Sequence, residues 1–296
     1  MTGVLLVDKP EDTSSAGVIR ALKPRLGRAK VGHLGTLDPF ASGLLPLCLG
    51  EATKVARWLL LEDKSYTGTI RLGSATDTHD RTGTRERTAP VPAFDQAALD
   101  AVARRFVGRR EQVPPMYSAL KRGGVPHYEL ARRGIEVERA ARDIEIHRLA
   151  LVPRDAERID FAVDCSKGTY VRVLAAEIGE ALGTVAHLET LRRTRVGSFR
   201  VESARALASL LAEPAATSLP LVPIRQALAD YVAFTAPSAD AVARLRRGQL
   251  ESLACVPPPR RAGETAVLLD AGGGVVAVVE AAGERPAWRV ARLLAC

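Results

Sequence analysis

GHLGTLDPFASGLLPLCLG, residues 32–50, holds a single acid, Asp38, set between a Gly/Thr turn and Pro39. The residues that follow, 44–49, are mostly apolar. Just upstream, residues 20–30 (RALKPRLGRAK) carry five cationic side chains. A lone carboxylate on a tight turn beside a basic surface suits a nucleophile that works on a polyanion. Asp-Pro is also an ordinary turn signal, because Asp caps turns and Pro presets φ. Local chemistry alone leaves both readings open.

Working outward, residues 4–7 read as a short apolar strand ending at the Lys9-Pro10 turn. Thr13-Ser14-Ser15 offers an N-cap, and residues 16–22 predict a helix that stops before Pro24. Helical spacing over residues 52–61 rests on Val55 and Leu59. Residues 66–72 alternate as a strand does. Asp95 is a natural N-cap for a helix running to Phe106, with Leu99, Val102 and Phe106 on one face. Residues 144–152 and 159–165 predict strands, followed by a turn at Gly168 and a helix over 171–182. Strands and helices mixed without repeated βαβ units argue for an α+β fold around a largely antiparallel sheet. Periodicity lapses over residues 213–220, so a first domain is expected over residues 1–220 and a second over 225–296. In that second unit, residues 266–270, Gly272-Gly273-Gly274 and 275–280 predict a β-hairpin in a small β-rich module.

A chain of 296 residues is long enough to bury a substantial core and to form more than one domain. Lys and Arg total 42 against 34 Asp and Glu, a net charge of +8 that favours an anionic partner. The arginines cluster: Arg104-Arg105, Arg109-Arg110, Arg132-Arg133 and Arg192-Arg193 with Arg195. Guanidinium forks grip phosphates bidentately. Residues 113–142 form a basic stretch rich in Gly, Pro and Tyr. Four widely spaced cysteines (Cys48, Cys165, Cys255, Cys296) contain no CxxC pair, so neither a zinc knuckle nor a disulfide framework is readable. They read as reduced, mostly buried thiols. With no apolar run near ~18 residues and no signal region, a soluble, cytoplasmic protein without membrane contact is expected.

Several blocks together resemble the TruB family, the tRNA pseudouridine-55 synthases. They are Gly32-His33-Leu34-Gly35-Thr36-Leu37-Asp38-Pro39, Ala41-Ser42-Gly43 and Gly50-Glu51-Ala52-Thr53-Lys54. Val4-Leu5-Leu6-Val7-Asp8-Lys9-Pro10 precedes them, and Lys64-Ser65-Tyr66, Arg71-Leu72-Gly73 and Thr76-Asp77-Thr78 follow. Pro115-Met116-Tyr117-Ser118-Ala119-Leu120-Lys121, then Cys165-Ser166-Lys167-Gly168-Thr169-Tyr170-Val171-Arg172, then Leu191-Arg192-Arg193 complete the series. The resemblance implies a cofactor-free isomerase that converts uridine-55 in the T-arm loop of tRNA to pseudouridine, acting as a monomer. By position it implies that Asp38 is the nucleophile and Arg172 its close cationic partner, lowering its pKa. Tyr66 matches the residue that stacks on a flipped base, although strand alternation alone also predicts a half-buried tyrosine there. Tyr170 and Leu191 match residues lining the base pocket, His33 the residue that fills the space left by the base, and Lys9 a motif supporting the site. The resemblance also makes residues 113–142 an RNA clamp. Leu245-Arg246-Arg247-Gly248-Gln249 resembles the opening of a PUA-type RNA-binding domain, with residues 256–260 as an inserted loop.

Two other readings are weighed. Thr76-Asp77-Thr78-His79-Asp80 has metal-ligand residue types, as a metal-dependent nuclease would, but no acidic cluster from other segments accompanies it. An RNA-binding protein that helps tRNA fold, with catalysis secondary or absent, is the competitor from a different class. The two roles are compatible, because extracting a base disrupts the tertiary contacts of the tRNA elbow.

Overall fold

The computed structural model of the chain describes residues 1–118, 121–135, 137–214, 218–249, 253, 256–283 and 287–295. Its frame is a mixed sheet that runs, edge to edge, through Arg205–Ala206, Gly3–Lys9, Ser42–Leu49, Ala186–Val196, Lys64–Leu72, Arg158–Cys165, Arg142–Asp155 and Gly108–Gln112. Arg205–Ala206 lies parallel to Gly3–Lys9, and Ser42–Leu49 lies parallel to Ala186–Val196. The other neighbours along this path are antiparallel.

Strand alternation sends successive side chains to opposite faces, and that gives the sheet two cores. Leu5, Val7, Leu45 and Leu47 face one side, where Val18 and Leu22 of helix Ser15–Leu26, Leu99, Val102 and Phe106 of helix Gln96–Phe106, and Leu174 and Ile178 of helix Val171–Ala181 cover them. Val4, Leu6, Leu44 and Cys48 face the other, where Trp58 joins them. A second sheet, Val232–Thr235, Thr265–Leu269, Val275–Ala282 and Ala287–Leu293, packs Val267, Val275 and Val278 into that same cluster. Helix Ala239–Arg246 covers its other side with Val242 and Leu245. Glu280 ties the two sheets together by accepting from Trp58 Nε1 at 2.9 Å and pairing with Arg57 at 2.6 Å.

Local signals are realised where their causes are local. Asp95 caps its helix by accepting from the Ala98 amide at 2.8 Å. Ser14 does the same for Gly17 at 3.0 Å. That first helix, however, runs Ser15–Leu26 with Pro24 inside it, past the expected stop. Burial of Leu26 against the core holds the last turn in place despite the missing amide donor. The helical spacing over 52–61 resolves into a 3-10 turn, Gly50–Lys54, and a short helix, Ala56–Leu60. Strand Leu221–Val222 pairs with Gly3–Lys9, so the large sheet draws on residues past the expected break at 220. Within the basic stretch, Lys121–Arg122 and Val125–Pro126 form a small hairpin before helix His127–Arg132. Cys48 and Cys165 are buried free thiols; Cys255, Cys296, Ala119 and Leu120 lie outside the described residues. Among the described residues no helix is long and apolar enough to cross a membrane.

Candidate active site

The segment carrying Asp38 links strand Val31–His33 to strand Ser42–Leu49. Leu34, Leu37, Phe40 and Ala41 are buried, which leaves Thr36 and Asp38 as the polar side chains turned outward on this segment. The turn is bolted from behind. Ser15 Oγ accepts from the Leu37 amide at 2.9 Å and donates to the Leu37 carbonyl at 3.0 Å. Lys9, 0% exposed, donates to the carbonyls of Thr13, Pro10 and Pro39 at 2.6, 2.8 and 3.1 Å. Burial pushes the Lys9 ammonium down to about 8, with Asp38 the largest influence opposing it.

Arg172 opens helix Val171–Ala181, whose first turn holds no acid. A cation at a helix N-terminus opposes the macrodipole, so helix stability does not explain its place. Its guanidinium is instead the junction of three segments. Nε pairs with Asp38 Oδ2 at 2.9 Å, and Nη1 sits 3.5 Å from Asp80 Oδ2. Nη1 also donates to the Thr78 carbonyl at 2.8 Å and Nη2 to the Tyr117 carbonyl at 2.7 Å. The side chain is only 5% exposed, and a planar fork with five donors is what so many acceptors require. Asp80 is itself held by the Thr82 amide at 2.9 Å and by the hydroxyls of Thr78 and Thr82 at 2.9 and 2.6 Å.

A cavity of about 260 Å³ opens above this pair, lined by Asp38, Arg172, Tyr66, Tyr170, Leu191, Arg193, Lys64 and Ser118 among others. That is the volume of roughly nine waters, room for one nucleoside but not for a stacked run. Its floor comes from two adjacent antiparallel strands, in which Tyr66 pairs with Arg193 and Gly68 with Leu191. Period-2 alternation therefore turns Leu191 and Arg193 inward together, beside Tyr66 and Lys64. Gly43 lies opposite Arg193 on the third strand with φ +101°, and a Cβ there would collide with the Arg193 carbonyl oxygen.

Burial raises the Asp38 carboxyl above the usual aspartate range; the Arg172 guanidinium opposes this and the Asp80 carboxylate adds to it. The expected downward effect of the cation is thus outweighed. With the cavity open the Asp38 side chain keeps 36% of its surface accessible, so the upward push is felt in full only when a ligand displaces water.

A family model for the TruB family pseudouridylate synthase N-terminal domain matches residues 23–171, and one for the tRNA pseudouridylate synthase B C-terminal domain matches residues 172–228. The chain belongs to the TruB family. A tRNA pseudouridine synthase B of Psychrobacter cryohalolentis is 52% identical over 219 residues, covering 72% of this chain and 61% of that protein. Its namesake from Aromatoleum aromaticum is 51% identical over 230 residues, covering 78% of this chain and 74% of that protein. The first of these matches thus spans less than two thirds of the relative's length. Among solved structures, a Cbf5-Nop10-Gar1 complex superposes with a TM-score of 0.75 at 24% identity, covering 99% of this chain and 84% of that one. At that identity it shows a shared fold, α+β with a small second sheet.

Against the TruB resemblance, the structure brings Asp38, Arg172, Tyr66, Tyr170 and Leu191 to one cavity. It does not bring His33 or Lys9 into the lining. Lys9 is buried behind the Asp38 turn, where it braces the loop through the carbonyls of Pro10, Thr13 and Pro39. His33 ends its strand half-buried with Nδ1 unpartnered, and burial followed by Arg193 pushes its imidazole down. The cavity also holds residues to which the sequence reading assigned no role: Lys64 and Arg193 line it, and Asp80 backs Arg172. Stepping two positions on from Leu191 was the available signal for Arg193. The run from Thr76 to Asp80 spends its acids on Arg172, Thr84 and Tyr117, and among the described residues no His/Cys/Asp/Glu group is arranged to hold a metal ion.

Proposed function

We propose that the chain is a tRNA pseudouridine synthase that isomerises uridine-55 of the T-arm loop, with Asp38 as nucleophile. The single observation that carries this reading is an Asp38 carboxylate at the cavity, 2.9 Å from the Arg172 guanidinium. The reaction breaks the bond between uracil N1 and ribose C1′, turns the base, and joins C1′ to C5. N1 gains a proton and C5 loses one. Nothing is oxidised and no group leaves, so the balance calls for no cofactor.

A uridine stacked in a folded loop must first be flipped out, at a few kcal/mol. Stacking on one aromatic ring returns roughly 1–3 kcal/mol. Tyr66 supplies that ring, Leu191 the apolar wall, and Tyr170 the opposite side. The Tyr170 backbone is clamped by Gln112, which accepts from its amide at 2.8 Å and donates to its carbonyl at 3.2 Å. Arg172 opposes the burial that raises the Asp38 carboxyl, and Lys9 and Ser15 fix the turn so that the carboxylate meets the sugar without reorganising. Residues 1–220 with the neighbouring strand at 221–222 form the catalytic domain. The basic stretch 113–142 clamps the RNA arm, and residues 225–296 act as a PUA-like RNA-binding module. The enzyme works as a monomer in the cytoplasm and helps tRNA fold as a by-product of opening the elbow.

The test is release of the C5 hydrogen from tRNA labelled at uridine C5. Wild type releases it and Asp38→Asn does not, while both bind tRNA. Equal release by the two proteins ends the nucleophile reading, and no release by either leaves a binding protein only. A primer-extension map of the product locates the modified uridine.

A further inference from the structure

Arg193 is the most enclosed cation of the molecule's cavity, 1% exposed on its floor, and the reaction as argued so far leaves it without a task. Among the described residues no carboxylate lies within ion-pair distance of it. Its guanidinium is held by neutral oxygens instead. Nε donates to the Leu44 carbonyl at 2.8 Å and Nη2 to the Gly35 carbonyl at 3.1 Å. Nη1 lies under Gly35, 3.5 Å from where a Cβ would stand, and the φ of +93° there admits glycine. The guanidinium is therefore fixed in position before any substrate arrives. Burying a cation without a countercharge is costly, and a site that keeps one uses it for charge that appears during the reaction.

The residue it faces is Tyr66. The two are directly opposed in the antiparallel pair of Lys64–Leu72 with Ala186–Val196. Such partners carry their side chains on one face, with Cβ atoms about 5 Å apart. Both line the cavity, and among the groups acting on the phenol the guanidinium is the strongest that favours its charged form. Among the described residues, the other titratable groups that act on the phenol are Asp38 on the loop and Cys165 on the strand at its other side, and Lys64 lines the same cavity from two positions back on its own strand. The Lys64 ammonium is turned to the carbonyls of Glu62 and Leu60, at 2.6 and 3.2 Å. Of the described cations that line the cavity, Arg193 is the one paired directly across the strands with Tyr66.

We propose that Arg193 is the positioning residue for Tyr66: it fixes the phenol oxygen at the cavity floor and stabilises the negative charge on that oxygen when it takes the hydrogen from C5. The inference rests on the isomerase reading above. In balance, the phenol first yields its proton to water. The phenolate then takes the C5 proton once C1′ has joined C5, and water returns a proton to N1. Burial pushes the Tyr66 phenol up to about 12, and Arg193 is the largest influence in the opposite direction. Removing it makes the phenolate harder still to form.

The test measures single-turnover release of hydrogen from uridine C5 in tRNA between about pH 6 and 10, with tRNA affinity and thermal melting in parallel. Arg193→Met is expected to slow release about a hundredfold. Its pH profile moves to the alkaline side by about one unit or more, while tRNA affinity stays within about threefold. Arg193→Lys, which keeps the charge, recovers about tenfold of the loss. Should Arg193→Met fail to fold, Arg193→Gln, neutral but polar, carries the same comparison. Equal losses in the neutral and lysine variants with an unmoved pH profile would reduce Arg193 to a prop for two carbonyls and overturn the proposal. Release near the wild-type rate in the neutral variant overturns it too. Asp38→Asn releasing hydrogen as wild type does sinks the isomerase reading instead, so the two failures are separable.

Discussion

Replacing Arg172 by methionine removes the cation that, among the described residues, pairs with both Asp38 and Asp80, and the structure sets the size of the effect. Two unit charges about 4 Å apart interact by roughly 4 kcal/mol at an effective dielectric of 20 and by about 1 in water. The Asp80 contact, 3.5 Å long with both side chains 5% exposed, lies near the first limit. The Asp38 contact is shorter, at 2.9 Å, but Asp38 is 36% exposed and solvent screens it toward the second. Loss of a partner from a buried pair costs about 3–5 kcal/mol in stability. At roughly 2–4 °C per kcal/mol for a protein of this size, melting falls by about 6–20 °C. The carboxyl of Asp38, already raised by burial, rises further once the Arg172 guanidinium that opposes burial is gone. A smaller fraction of Asp38 is then ionised at a given pH, so the variant's residual hydrogen release gains more with rising pH than the wild-type rate does. Arg172→Lys keeps the charge, but one ammonium does not span Asp38, Asp80 and the carbonyls of Thr78 and Tyr117, so it recovers stability better than rate. Thermal melting and C5-hydrogen release between about pH 6 and 9 decide the matter. A methionine variant that melts within about 2 °C of wild type and shows no alkaline gain would refute the reasoning.

Two further outcomes follow from the bracing of the site. Lys9, pushed down to about 8 from an ordinary 10.5, loses its proton in the folded state before it does in the unfolded chain. The unfolded state therefore binds more protons between pH 8 and 10.5, and this group's contribution to stability increases through that window. The gap in melting temperature between wild type and Lys9→Met accordingly widens between about pH 7.5 and 10; a constant gap would count against the buried-ammonium account. Gly43→Ala drives a Cβ into the Arg193 carbonyl and forces a side chain onto φ +101°. A loss of about 3 kcal/mol or more is expected in urea unfolding, and hydrogen release falls with it because the floor strand is displaced.

Much of this molecule is legible before it folds. Short-range causes carry to the structure unchanged: Asp95 caps its helix, the apolar alternation over residues 66–72 and 159–165 forms neighbouring strands, and the glycines at 272–274 turn the hairpin of the second sheet. Misreadings fall where tertiary burial overrides a local signal. Pro24 reads as a stop, yet Leu26 is drawn into the core and the helix continues. The motif blocks name Asp38, Tyr66, Tyr170, Arg172 and Leu191 because each sits in a run of distinctive neighbours. Lys9 and His33 sit in runs as distinctive, yet neither reaches the cavity wall.

Arg192 and Arg193 draw the boundary most sharply. As a sequence the two are interchangeable: adjacent, chemically identical, inside one motif. That a strand, Ala186–Val196, carries them emerges only in the fold, and within it alternation sends them to opposite faces. Which face is the cavity is decided only by the register with Tyr66 on one side and Gly43 on the other. Arg192 turns outward to pair with Asp8 at 2.7 and 3.0 Å, and Arg193 turns into the floor. A slip of one residue would exchange them, because a strand's side-chain period is two and only its neighbours define where counting starts.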